Sequence, residues 1–355
     1  MAKLTGAMER KYPLSKTGKL SSEGSVVFDW VVVLLGLWMI GGLHLDAWAH
    51  HQFEVETFIT PWHGVLYSGF LALAAVLVGA FVRNLRRGLA WQVAMPAGYG
   101  LSLLGAAIFL AGGVADKLWH TLFSIEVGIE ALLSPTHLLL AYGGALMATG
   151  PLRAAWRRRE DVGQGWAGLM PALLSLAMLL AELSFFTAYA HPLSDAIAAM
   201  GHRPSSDAQA FNFLGLGIGA ILLQSAIMMG VILLAVRRWR LPTGGLTLMI
   251  TVAYGLTVSI HEDFYLIPFE ILAGLAAEVL YWWLKPSLDQ PISFRWFAFG
   301  VPVIFYALYF LTLALTGGVW WTVHLWTGAI LLAGIAGWLL SYAFIPPQIA
   351  DEIEA

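Results

Sequence analysis

Long apolar runs alternate with short polar connections along most of the chain. A transmembrane helix needs about 20 predominantly apolar residues, and these runs approach or reach that length. The pattern therefore predicts an all-α fold, a polytopic transmembrane bundle of about ten spans built from helical hairpins. The predicted spans are 26–46, 61–83, 91–114, 135–155, 167–190, 211–236, 245–262, 268–284, 296–316 and 320–344.

The composition is that of a membrane protein, because 59% of the 355 residues are hydrophobic and only 12% are charged. The residues before Val26 are polar, so we expect no cleaved signal peptide and an uncleaved first span. The chain contains no cysteine. Disulfides, thiolate metal sites and cysteine nucleophiles are therefore excluded, and histidine and carboxylate side chains remain as the strong metal ligands.

Basic residues lie almost entirely at one end of the predicted spans. Of the 19 lysines and arginines, only Lys117 and Arg203 fall in connections on the opposite side. Because basic residues favour the cytoplasmic side, both termini and the even-numbered connections are expected to be cytoplasmic. The chain is then a multi-pass protein of the cell membrane, with the lipid bilayer as its surroundings and no nucleic-acid partner.

A motif with metal-ligand residue types occurs twice in the first half of the chain. An aspartate is followed four residues later by a histidine, and a second histidine comes two residues after a proline. Thr60 and Ser134 stand just before these prolines, as expected for helix N-caps with proline at the first helical position. The two sets are Asp46, His50 and His63, and Asp116, His120 and His137.

Helical geometry is expected to bring the members of each set together. Residues four apart lie on one face of a helix, with about 5–6 Å between their Cβ atoms. The second histidine opens the next, antiparallel helix, so one carboxylate and two imidazoles converge at one end of a hairpin. Such a set suits copper, iron or zinc. All 10 histidines fall on the non-cytoplasmic side of the predicted topology, which places the metal sites at the periplasmic or extracellular face.

The duplicated motif also predicts how the chain is divided. Both copies have the same helix order and orientation, which is typical of a parallel repeat about an axis along the membrane normal. A third, incomplete copy of the motif follows in His261-Glu262-Asp263 and Pro268-x-Glu270. Its spacing differs from that of the first two copies and leaves open whether these residues join a site. The predicted segments are a polar cytoplasmic N-terminal segment (1–25), the duplicated metal-ligand hairpins (26–155, with copies at 26–83 and 91–155), the remaining hairpins (156–344) and an acidic cytoplasmic tail (345–355).

The first copy, from Asp46 through His50 to Thr60-Pro61-x-His63, resembles the C subunit of particulate methane and ammonia monooxygenases. The resemblance lies in Asp-x-x-x-His, the twelve-residue interval and the Thr-Pro-x-His that follows. It implies that Asp46, His50 and His63 bind copper near the periplasmic face, in the region proposed for oxygen activation. The second copy matches in residue type, with a longer interval before its last histidine.

The resemblance implies a copper-dependent, monooxygenase-type oxidoreductase acting on a small apolar substrate that enters from the lipid. Additional membrane subunits, or an external donor of electrons and copper, are the partners that it implies. Glu56 and Glu130 stand seven residues before the second histidine of each copy. We expect these two carboxylates to have a catalytic role, in which they orient the ligand imidazoles or relay protons.

Two other functions fit the same ligands. A metal-coupled or proton-coupled transporter, or a metal-handling membrane protein, would use them as a translocation site. Polar groups would then continue toward the cytoplasm, and the runs 71–79 and 138–150 offer almost none. A zinc-dependent membrane hydrolase would use a zinc-bound water, and it would need no oxygen.

The predicted topology can be tested with single cysteines, because the chain has none of its own. Cysteines in place of Phe53 and Ser124 should react with a membrane-impermeant maleimide from outside the cell. A cysteine in place of Arg238 should react only after the membrane is opened. Labelling of position 53 from the cytoplasmic side alone would contradict both the topology and the location of the sites.

Overall fold

The computed structural model describes residues 25–53, 60–124, 128–158 and 165–347. This part of the chain is helical and contains no strand, which confirms the all-α prediction. The described residues up to Glu182 form one compact unit, and those from Leu183 onward form a second. The predicted division at residue 155 stays a prediction, and nearly all of segments 1–25 and 345–355 lies outside the described residues.

The helices of both units follow one another with short connections. Single turns of 3-10 helix lie at Trp91–Val93, Ala188–Ala190, Met200–His202 and Phe264–Leu266. The first unit contains α1 (Val26–Gln52), α2 (Pro61–Arg86), α3 (Gly100–Phe123), α4 (Ile129–Leu133), α5 (Pro135–Ala148), α6 (Gly150–Arg157) and most of α7 (Gly165–Phe186). The second contains α8 (Asp207–Arg238), α9 (Gly245–Ser259), α10 (Ile267–Leu284), α11 (Pro291–Thr316) and α12 (Val323–Phe344).

Among the described residues, 8 helices are long and apolar enough to cross a membrane. The protein is therefore a multi-pass membrane protein, as predicted. Helix α9 is shorter than the others, and Thr149 separates α5 from α6. The total of about ten spans stays a prediction, and so does the cytoplasmic location of both termini.

The third helix differs from its predicted bounds of 91–114, since α3 begins at Gly100 and ends at Phe123. Pro96 explains the late start, because proline disfavours a helical conformation in the residue before it. Gly98 follows with a φ of +97°, a left-handed conformation that suits glycine. The apolar run therefore contains a loop before its helix, and hydrophobicity alone does not mark this break.

The helices that carry the second histidines begin as predicted. Thr60 caps α2, and its hydroxyl accepts a hydrogen bond from the His63 N–H at 3.1 Å. Ser134 caps α5 in the same way, with the His137 N–H at 3.4 Å. Proline occupies the start of both helices. Each cap therefore fixes the backbone of a histidine in the first helical turn.

Glycines bring α1 and α2 into close contact. A Cβ on Gly42 would lie only 2.7 Å from the Leu66 Cα, and a Cβ on Gly69 would lie 2.8 Å from the Met39 backbone nitrogen. Real Cβ atoms do not approach backbone atoms so closely. The two backbones therefore pack directly against each other, as small residues allow between membrane helices.

The second hairpin repeats this packing between α3 and α5. A Cβ on Gly112 would lie 3.2 Å from Leu140, and one on Gly143 would lie 2.7 Å from the Phe109 backbone nitrogen. Each pair of glycines has the same place relative to its motif, four residues before the aspartate and six after the second histidine. The two hairpins therefore repeat the same close contact between helices as well as the same sequence motif.

A buried polar network closes the first unit at the end opposite the motifs. Asp29, at the start of α1, is fully buried and forms an ion pair with Arg158. The Tyr99 hydroxyl donates to the other carboxylate oxygen of Asp29 at 2.5 Å. Arg153 donates to Ser102 at 2.8 Å and to the Gly98 carbonyl at 2.9 Å. These bonds tie the start of α1 and the start of α3 to the region of α6.

Glycine packing can be tested with two substitutions in the same helix. Gly69→Ala should lower the free energy of unfolding by about 1–3 kcal/mol, because the added methyl group overlaps the backbone of α1. Gly79→Ala is the matched control, since a Cβ there meets no atom within 4 Å. Unfolding is followed by tryptophan fluorescence in lipid nanodiscs. Equal stability of the two variants would show that the close contact does not limit the packing of α1 on α2.

Candidate metal centre

The first set of predicted ligands meets where α1 ends and α2 begins. Asp46 and His50 lie one turn apart on α1, with 3.8 Å between Asp46 Oδ2 and His50 Nε2. His63, in the first turn of α2, places its Nδ1 3.3 Å from Asp46 Oδ1. The carboxylate is thus flanked by an imidazole from each helix. These three residues are called the first triad below.

The second set meets in the same way where α3 ends and α5 begins. His120 Nε2 lies 3.4 Å from Asp116 Oδ2, and His137 Nε2 lies 3.3 Å from Asp116 Oδ1. These three residues are called the second triad. In both triads the two imidazole ring centres are 5.7 Å apart.

Each triad has the geometry of a three-ligand metal site. One ligand atom from each residue lies within 4.8 Å of those of the other two, and within the described ranges only these two groups meet that condition. The structure thus brings together the residues that the motif predicts. Both aspartates are buried. His50 is exposed, and the other three histidines are partly exposed. A metal ion could therefore reach the site from the exposed side.

Hydroxyl groups hold the second triad in position. Thr136 donates a hydrogen bond to Asp116 Oδ1 at 2.8 Å. The Ser134 hydroxyl lies 2.9 Å from His137 Nδ1, so Nε2 of that ring is left to face the carboxylate. Partners of this kind fix the orientation of a ligand and raise metal affinity.

The first triad has a different set of partners. Trp62 occupies the position that Thr136 has in the other copy, so Asp46 receives no equivalent hydroxyl. His63 uses the same Nδ1 to face both Asp46, at 3.3 Å, and the Thr60 hydroxyl, at 2.9 Å. The first triad is therefore less well oriented for a metal than the second.

Tyr67 lies between the two triads. Its ring stacks on His63, with ring centres 6.1 Å apart, and it packs against Gly113 one turn before Asp116. Tyr67 therefore contacts the first triad at His63 and the second hairpin at Gly113. The two triads are consequently neighbours, and Tyr67 is a site residue that the motif does not reveal.

Only one of the two predicted catalytic carboxylates belongs to the described part of the chain. Glu56 lies outside the described residues. Glu130 is exposed in α4, and it forms no hydrogen bond or ion pair within the described part of the chain. The catalytic role of both residues stays a prediction. His261, Glu262, Asp263 and Glu270 form no group of three converging ligand atoms in the described part of the second unit.

Comparisons of the chain with protein families, with curated proteins and with solved structures give no match. The resemblance to the monooxygenase C subunit therefore depends on the motif residues alone.

The difference in partners predicts unequal metal affinities. The second triad should bind the tighter equivalent, and Thr136→Val should weaken that equivalent by roughly 10–100-fold, the usual effect of losing a hydrogen bond to a ligand. Thr327→Val is the matched control, because its hydroxyl is exposed in α12 and contacts only its own helix. Competition titration with a chelator measures both affinities. If Thr136→Val weakened only the metal equivalent of the first triad, the assignment of the tighter equivalent to the second triad would be wrong.

Proposed function

We propose that this membrane protein binds a metal ion in each triad, with copper as the preferred metal, and oxidises a small apolar substrate with oxygen. The observation that carries the proposal is the convergence of two equivalent Asp-His-His sets, each with ligand atoms within 4.8 Å of one another. A buried carboxylate in a membrane helix needs a partner, and a metal cation bound by imidazole and carboxylate ligands supplies one.

The ligand set leaves coordination positions open for oxygen or substrate. Three protein ligands are typical of catalytic metal sites, whereas structural sites are usually closed by four. Imidazole and carboxylate ligands suit copper, iron and zinc. Copper is preferred because of the resemblance to the monooxygenase subunit, and it would supply one-electron chemistry with oxygen. Iron and zinc remain the alternative metals.

The face of α3 opposite the second triad is apolar and exposed. Val114, Leu118 and Leu122 are largely exposed. They lie on the opposite face of α3 from Asp116 and His120, because residues two positions apart point to different sides of a helix. Exposed aliphatic side chains on a membrane helix face the acyl chains. Entry of a small apolar substrate from the bilayer is therefore proposed from the resemblance to the monooxygenase subunit, and not from this surface.

Transport is a weaker interpretation of the same triads. A translocated ion needs polar groups along its path, and residues 71–79 of α2 are all apolar or glycine. Glu182 of α7 is an exception in the first unit, because its carboxylate packs against Gly144 of α5. One carboxylate does not make a path of ligands across the unit. A zinc-dependent hydrolase is chemically compatible, and metal content distinguishes it.

The stoichiometry of metal binding tests the proposal. His63→Ala should remove one equivalent of metal and His137→Ala a second, because each triad loses one of three ligands. His324→Ala is the matched control, since His324 is exposed and belongs to neither triad. Metal is measured by mass spectrometry on protein purified in native lipid, and oxygen consumption is measured with small alkanes or alkenes as substrates.

Other outcomes would contradict particular parts of the proposal. Loss of the same single ion in both triad variants would mean that the triads share one centre. Unchanged metal content in both variants would exclude the triads as metal sites. Native zinc occupancy, with hydrolysis that needs no oxygen, would favour the hydrolase over the oxidoreductase.

A further inference from the structure

Two buried carboxyl groups lie on one side of α10 in the second unit. Glu270 is completely buried and Glu278 is 5% exposed. The two residues are eight positions apart, which corresponds to about 12 Å along a helix. Gly274 lies midway between them and is also buried. The two acids therefore mark a line along the buried face of this helix.

Neither acid has a countercharge among the described residues. Both oxygens of Glu270 are buried without a hydrogen-bond partner. Glu278 accepts one hydrogen bond, from the Leu246 N–H at 3.1 Å, and its other oxygen has none. Burying an unpaired carboxylate in a membrane is expensive, so proteins keep such residues for proton relays and ion pathways.

Helix α9 supplies hydroxyl groups along the same line. The hydroxyl oxygens of Thr247 and Thr251 are buried and have no partner. Thr247 packs on Gly274, where a Cβ would lie 2.8 Å from its Cα, and so stands between the levels of the two acids. Thr257 of the same helix behaves differently, because its hydroxyl donates to the Ala253 carbonyl at 3.3 Å.

The free hydroxyls are chemically suited to pass a proton. A threonine hydroxyl both donates and accepts hydrogen bonds, whereas a carboxyl group does so only when it is protonated. Thr247 and Thr251 lie one turn apart on α9, facing the helix that carries the acids. At the Glu270 end of this line, Glu270 Oε2 lies 3.8 Å from the position that a Cβ on Gly255 would have. The four groups thus follow the interface of α9 with α10 over most of its length.

The line continues from Glu270 to a buried histidine. Tyr254 is next to Gly255, which faces Glu270, and the Tyr254 ring centre lies 5.6 Å from that of His191. His191 Nδ1 accepts the Leu193 N–H at 3.1 Å, so the ring proton of the neutral imidazole is on Nε2. Nε2 is buried without a partner. Burial lowers the pKa of His191 to about 3, which keeps the imidazole neutral.

His191 connects this line with the surface of the second unit. It lines a small cavity together with Tyr189, Asp195 and Tyr309. The side chain of Asp195 is about half exposed, at 53%. The cavity therefore gives His191 a route to water at one end of the α9–α10 hairpin, while Glu278 stands near the other end.

We infer that the α9–α10 hairpin forms a proton path, in which Glu278, Thr247, Thr251 and Glu270 pass protons between one end of the second unit and the His191 cavity. This activity is separate from metal binding, because the path contains no residue of either triad. Glu270 releases its proton toward the His191 cavity and becomes a carboxylate. The proton of Glu278 then replaces it by way of the threonine hydroxyls and water between these groups, and water at the other end of the path reprotonates Glu278. No electron or bond to carbon changes in this step.

Proton flux into vesicles tests the inference. The full-length protein is reconstituted in liposomes that contain the pH-sensitive dye pyranine, and a potassium gradient with valinomycin sets the membrane potential. Wild-type protein should conduct protons faster than protein-free vesicles. Glu270→Gln and Glu278→Gln should reduce the flux to that of the empty vesicles. Glu262→Gln is the matched control and should conduct like the wild type, because Glu262 is exposed outside the helices.

Threonine variants cover the case in which a glutamine variant fails to fold. Thr251→Val and Thr247→Val keep the side-chain shape and change no charge, so both should fold and conduct more slowly than the wild type. Unchanged flux in Glu270→Gln, or in both threonine variants, would overturn the path. Wild-type flux equal to that of empty vesicles, or uptake of sodium in place of protons, would also overturn it. Full flux in His137→Ala is expected, and its loss would contradict the separation from the metal centre.

Discussion

The structure of the first unit depends on one constraint, the presence of an aspartate inside a membrane helix. Insertion of such a residue costs on the order of 3 kcal/mol, so it must face a polar partner. Asp46 and Asp116 meet this demand with two imidazoles each, one from the same helix and one from the helix that packs against it, α2 or α5. The neighbouring helix must therefore start close to the aspartate, and the chain reverses direction at that point in both copies.

Close helix packing makes this arrangement possible. The contact of Gly42 with Leu66 lies one turn from Asp46. It lets the backbones of α1 and α2 lie close enough for His63 to reach the carboxylate. The threonine or serine cap then orients the first turn of the incoming helix. Tyr67 sits one turn further along the same helix, against the second hairpin. Packing, capping and ligand placement are thus consequences of one helix crossing, which the chain uses twice.

Local sequence patterns predicted the parts of the site that depend on local geometry. Thr60 and Ser134 were identifiable as caps, and the spacing of aspartates and histidines predicted both triads. The start of α3 was not predictable from apolar length, because Pro96 interrupts a run that stays hydrophobic. Tyr67 and Thr136 were missed for another reason. Their roles come from contacts with other helices, and nothing in their spacing separates them from ordinary residues of a span.

In the second unit, α10 begins with a sequence similar to that of α2, but the ligands of a triad are absent. Pro268 and Glu270 open α10 as Pro61 and His63 open α2, but an acid stands where the histidine would be. The facing position on α9 is Gly255, which offers no carboxylate. An acid alone cannot complete a metal site, and without a countercharge its neutral, protonated form is favoured in the membrane. The α9–α10 hairpin thus lacks both the carboxylate and the second histidine of a triad, and its isolated acid fits the proton path that we propose and not a metal site.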